Sequence, residues 1–173
     1  MRSTKGFSLI ELLIVVAIIL TLAAIAIPNL LSAKMSANES SAVASLHAIT
    51  SAEITYFNAY PTVGYATNLG QLGGAIPCTP ASTSACILDN FLSTATPGGP
   101  GKSGYYFLAT GVMDGGATFN DAYVIGAAPI MVHSTGNQDF CSTDEVILRQ
   151  QMGNPGDTPV NNIATCLTYP VAD

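Results

Sequence analysis

Residues 6–28, GFSLIELLIVVAIILTLAAIAIP, decide how this chain is read, and the glutamate among them sets the problem. From Leu12 to Ile27 every residue is apolar except Thr21, and no charge follows Glu11 until Lys34. The run from Phe7 to Ile27 is long enough to cross about 30 Å of hydrocarbon as a helix. A charged side chain at a bilayer centre costs roughly 2.5–3.5 kcal/mol on insertion scales. Glu11 therefore needs a partner.

Three readings of this N-terminus compete. An ordinary secretory signal has a basic start, an apolar run and a small-residue cleavage site, here Ala24-Ile25-Ala26. It gives Glu11 no purpose. A plain membrane anchor, oriented by Arg2 and Lys5 on the cytoplasmic side, leaves the glutamate unexplained too. Cleavage after Gly6 explains it. The new terminus is the amine of Phe7, and Glu11 follows four residues later, on the same helix face. Ammonium and carboxylate then neutralise each other, within one chain or between staggered neighbours. In an apolar medium such a pair is stronger than in water, although desolvation offsets much of the gain. Its best-supported use is setting register between packed helices.

Basic residues followed by G-F-S-L-I-E-L-L-I-V-V-A-I-I resemble the type IV prepilin signature, shared by pilins and by the pseudopilins of type II secretion. Gly6, Phe7, Glu11, the apolar run and Pro28 all stand in register with it, over residues 1 to about 31. The resemblance implies a leader at 1–6 and cleavage after Gly6 by an inner-membrane prepilin peptidase that also N-methylates Phe7. It further implies a helix at 7–28 that passes from membrane to filament core, and self-polymerisation on an assembly platform. The precursor would sit in the inner membrane with its head in the periplasm, and the product would be an extracellular filament. The assembly residues carried over are Phe7, Glu11 and Pro28. A pseudopilin of type II secretion and a secreted binding protein with an ordinary signal peptide are the alternatives.

Beyond Pro28, which removes an amide donor and kinks a helix, a helical pattern resumes over 29–60. Val43, Leu46, Thr50, Ile54 and Phe57 step by three and four, and alanine and serine fill the gaps. One helix from about Phe7 to Asn58 is expected, about 75–80 Å long at 1.5 Å per residue. Glu39 and Glu53 on it read as solvated or paired. Tyr56, Phe57, Tyr60 and Tyr65 read as packing for a head at 61–173. Prolines and glycines make 61–104 loop-like, with short helices around Leu69–Leu72 and Leu88–Leu92. The period then changes. Segments 105–111, 122–130 and 145–150 read as an antiparallel meander of three strands or four, turning at Met113–Gly116 and His133–Gln138. The fold class is α+β: a long helix, half transmembrane, packed by its second half on a small antiparallel sheet.

Cys78, Cys86, Cys141 and Cys166 contain no C-x-x-C pair, which disfavours zinc and favours disulfides formed outside the cytoplasm. Three pairings exist. The local ones, Cys78–Cys86 and Cys141–Cys166, each close a loop between predicted elements, and the longer loop would contribute about 3–4 kcal/mol. A Cys141–Cys166 bond would pin the aperiodic tail 153–173 to the sheet edge, resembling the disulfide-bounded C-terminal region of many pilins.

Charged residues make up 9% of the chain, with five Lys and Arg against eleven Asp and Glu. That leaves no basic footprint for nucleic acid. His47 and His133 stand alone. Asp114, Asp121, Asp139, Asp144 and Asp157 scatter through predicted loops without calcium-loop spacing. No catalytic constellation, nucleotide loop or cofactor motif appears, so the expectation is a structural subunit without metal or cofactor.

Overall fold

The structure, a computed structural model, describes residues 6–113 and 116–172. Met1–Lys34 and Met35–Asp173 form two separate compact units. Helix α1, Leu9–Ala59, contains Pro28 in its interior. It begins two residues later than the sequence suggests and ends one later.

In the first unit the helix stands bare. Its large apolar side chains from Phe7 to Leu31 are all exposed, from 44% at Val15 to 80% at Leu9. The helix is long and apolar enough to cross a membrane, with none of its most apolar stretch buried. Thr21 satisfies its hydroxyl locally, donating to the carbonyl of Ile18 at 2.8 Å.

In the second unit, α1 buries Ala42, Leu46, Ile49, Ala52 and Tyr56 in the main core. The predicted stripe is rotated: Ile54 is 45% exposed, while Ile49 and Tyr56 are fully buried. The large residues that meet the sheet fixed the face, and Ile54 lies outside it. Connecting residues 60–104 carry α2 (Leu69–Leu72) and α3 (Asn90–Ser93). Asn68 Oδ1 accepts from the Gln71 amide and caps α2; Asp89 Oδ1 accepts from the Leu92 amide and caps α3. The second helix thus starts at Asn90 and not at Leu88, because Asp89 is its cap.

The sheet is antiparallel, in the order β1 (Tyr105–Val112), β2 (Ala122–Pro129), β3 (Gln138–Thr143), β4 (Arg149–Met152). Tyr105 faces Pro129 and Val112 faces Ala122 across β1–β2, and Gly126 faces Cys141 across β2–β3. Two expectations are corrected here. Gln138–Thr143, polar in composition, is a strand, and the expected strand at 145–150 is displaced to 149–152. Val146 occupies the turn after β3, with φ +60° and its amide donating to the Thr143 carbonyl. Strand propensity there yields to the geometry of the connection. The β1–β2 turn residues Asp114 and Gly115 lie outside the described residues.

Strand β2 is buried along its whole length because both faces are covered. Tyr123, Ile125 and Ala127 join Phe107, Tyr105 and Phe140 in the core shared with α1. On the opposite face Val124 and Cys141 pack against Val160, Cys166 and Tyr169 from the C-terminal segment, which includes α4 (Ile163–Leu167). Gly126 permits that cover, since a Cβ there would lie 2.3 Å from the Val160 carbonyl oxygen.

Candidate functional site

The N-terminal segment is the first candidate. Gly6, Phe7 and Ser8 precede α1, and the Ser8 carbonyl accepts the first helical bond, from the Leu12 amide at 3.2 Å. Glu11 lies in the first helical turn, where the helix dipole favours an anion. Phe7 is exposed and outside the helix. While the Gly6–Phe7 bond is intact the Phe7 nitrogen is a neutral amide, so no ammonium faces Glu11. The pairing needs the cut chain. Pro28 sits inside the helix and does not end it.

The remaining singled-out residues belong to the second unit. Cys78 is bonded to Cys86 and Cys141 to Cys166. The second bond ties α4 to the central strand β3 and not to an edge strand. The tail itself closes the sheet edge, as the Gln150 amide donates to the Pro170 carbonyl and the Ala172 amide to the Leu148 carbonyl. Phe57 and Tyr65 pack at 4.8 Å, Tyr65 and Tyr123 at 4.6 Å, and Tyr56 and Tyr60 at 4.9 Å between ring centroids.

A set of polar contacts fastens the α1 segment 38–45 to the sheet connections. Asn38 donates to the Thr135 carbonyl at 2.8 Å, and the Asn137 amide donates to Glu39 Oε1 at 2.7 Å. Ser41 bonds Ser103, and Lys102 Nζ donates to Ser45 Oγ at 2.5 Å. Glu39 is therefore paired.

Glu53 is neither solvated nor ion-paired. It is fully buried, with Oε2 accepting from the Ala66 amide at 2.9 Å and Oε1 without a partner. Burial pushes its carboxyl from 4.5 up to about 8, against the lowering effect of the Ala66 hydrogen bond. The acid is thus mostly neutral at pH 7. Its place four residues after Ile49 and three before Tyr56 was the available signal, since both neighbours lie on the buried face.

Asp139 also departs from expectation. It lies in β3 and is 2% exposed, whereas Asp157 stays in a loop. Among the described residues no group of three or more His, Cys, Asp or Glu is gathered to hold a metal ion. Asp114 lies outside them. His133 Nδ1 bonds Asn137 Oδ1 at 3.0 Å within its own turn.

A family model of the prokaryotic N-terminal methylation motif matches residues 1–27. The N-terminal region is 60% identical over 47 residues to the type IV wide pilus major component PilA4 of Thermus thermophilus. That stretch is 27% of this chain and 36% of the relative, so little more than a third of the relative's length is matched. No solved structure matches the chain. The long apolar helix and small antiparallel sheet form an α+β arrangement consistent with a type IV pilin.

Proposed function

We propose that this chain is a structural subunit of a type IV pilus, made as a membrane-anchored precursor and assembled into a surface filament. One observation carries the reading: the otherwise uncharged apolar segment 7–28 holds a single acid, Glu11, the fifth residue of the chain that a cut after Gly6 would produce. The methylation motif over the same residues supports that cut and the N-methylation of Phe7. The organisation is then a leader at 1–6, a membrane and filament-core helix at 7–28, an amphipathic continuation at 29–60 and a head at 61–173.

The mechanism is a change of apolar surroundings. Side chains exposed along Phe7–Leu31 are as well accommodated among neighbouring helices as among lipid tails, so helix association is not driven by the hydrophobic effect. Packing and charge pairing select the geometry instead. The liberated Phe7 ammonium offers Glu11 of the same or an adjacent copy a counter-ion, and the pair sets the axial register of each incoming subunit. A prepilin peptidase, an assembly platform and other copies of the chain are the partners this requires.

The motif is equally compatible with a type II secretion pseudopilin, whose structure would stay short and periplasmic. Filaments sheared from cells at native expression and analysed by mass spectrometry distinguish the two. The expected result is long extracellular fibres with this chain as a repeating component. Its confinement to the envelope would overturn the pilus reading.

A further inference from the structure

The C-terminal segment is tied to the sheet by Cys141–Cys166 at its α4 end, and two carboxyls meet at its other end. Asp139 reaches from β3 into a polar cleft of ≈ 340 Å³ that Asp157, Asn154, Gln151 and Thr158 also line. Its Oδ1 is buried without a hydrogen-bond partner. Gly153 leaves room for that oxygen, as a Cβ there would lie 2.9 Å away. Asp157, half-buried in the covering loop, holds its own Oδ2 against the Asn154 amide at 2.7 Å and the Asn154 side chain at 3.2 Å. The two carboxyls line the same cleft, one of them with a buried oxygen that lacks a partner. A carboxyl–carboxyl hydrogen bond requires a proton, because two carboxylates offer acceptors alone.

We propose that Asp139 and Asp157 form a proton-operated latch: a proton shared by the two carboxyls holds segment 153–162 onto the sheet in acid, and its loss loosens that segment as the pH rises to neutral. Among the described residues neither carboxyl is in an ion pair. Arg149 on β4 donates to the Tyr169 carbonyl at 3.2 Å and reaches Glu145 at 3.7 Å. Tyr169, from the tail, lines the same cleft with its hydroxyl pushed above the usual tyrosine value, chiefly by burial, and stays neutral through the range, while Tyr105 lies in the core on the α1 side of the sheet. Burial, then the charge of Asp157, raise the Asp139 carboxyl from 3.8 to about 7. Below the ordinary aspartate value the acid is protonated whether the segment is closed or open, and the latch is at full strength. It weakens between about pH 4 and pH 7 and changes no further above that.

Hydrogen exchange on the full chain in detergent, corrected for intrinsic rates and run with EDTA, tests this. Protection of 153–162 should fall at least about tenfold from pH 4.5 to 7, since a linked proton changes an opening equilibrium by up to about tenfold per pH unit. Asp139→Asn and Asp157→Asn should each abolish that fall, because an amide donates to the remaining carboxylate at any pH. If Asp139→Asn does not fold, Asp157→Asn, at a half-buried loop position, decides alone. A wild-type segment indifferent to pH, or a variant with the wild-type fall, overturns the latch. So does protection restored at pH 7 by calcium in place of EDTA, which would make the pair a cation site.

Discussion

Replacing Glu11 by alanine is expected to leave the chain inserted in the membrane and to lower its filament yield by at least about tenfold. Breaking a buried ion pair by removing one partner costs about 3–5 kcal/mol, and each ~1.4 kcal/mol is a factor of ten in association. Before assembly the same substitution removes a charge from an exposed apolar helix, which eases insertion. The two effects separate membrane storage from polymerisation. Glu11→Gln keeps the shape and loses the charge, so it should fail as alanine does. Immunoblots of membrane and sheared-filament fractions report both quantities. Abundant filaments from either variant would remove Glu11 from the assembly mechanism.

The second large effect is on the head. The Glu53 carboxyl titrates at about 8 in the folded chain against 4.5 for the free group, with burial as the leading cause. Below pH 4.5 folded and unfolded states both carry the proton, and no stability is lost. Between about pH 4.5 and 8 the unfolded state ionises first, so stability falls as pH rises and is lowest above pH 8. The shift corresponds to roughly 4–5 kcal/mol over that range. Glu53→Gln cannot ionise and should remove most of this slope. Its absolute stability at pH 5 should be close to wild type, because the protonated acid already places an O–H at the Oε1 position, where neither it nor an amide N–H finds an acceptor. Chemical denaturation of the full chain in detergent at pH 5 and pH 8 measures the slope. Equal slopes in both proteins would show that the buried acid is ionised already or finds a partner.

The parts of the fold carried by strong periods were legible in sequence. An unbroken apolar run and a three-and-four spacing mark α1 through Pro28, and β-branched and aromatic clusters mark β1 and β2. The failures share a cause. Strand β3, QDFCST, is covered on both faces, Phe140 in the core shared with α1 and Cys141 under Val160, Cys166 and Tyr169, and no local period encodes such long-range cover. Val146-Ile147-Leu148 shows the converse, β-forming residues placed in a turn and connection because register with β3 begins at Arg149. The same blindness hid both buried acids. Glu53 and Asp139 look like surface residues in composition, and only their packing neighbours remove them from water. Glu11 was conspicuous because its surroundings are local, an apolar helix on either side along the chain. The partner proposed for it, the Phe7 amine, depends on a covalent event, and in the uncut chain that nitrogen is an amide.

The central claim is that cutting the chain supplies Glu11 with its counter-ion. Intact-mass analysis of protein extracted from filaments, with top-down sequencing of its N-terminus, tests it most directly. The account predicts a chain beginning at Phe7, carrying one methyl group on that amine and lacking four hydrogens for the two disulfides. A mature chain beginning at Ile27, or one that keeps Met1 through Gly6 within the filament, would contradict it.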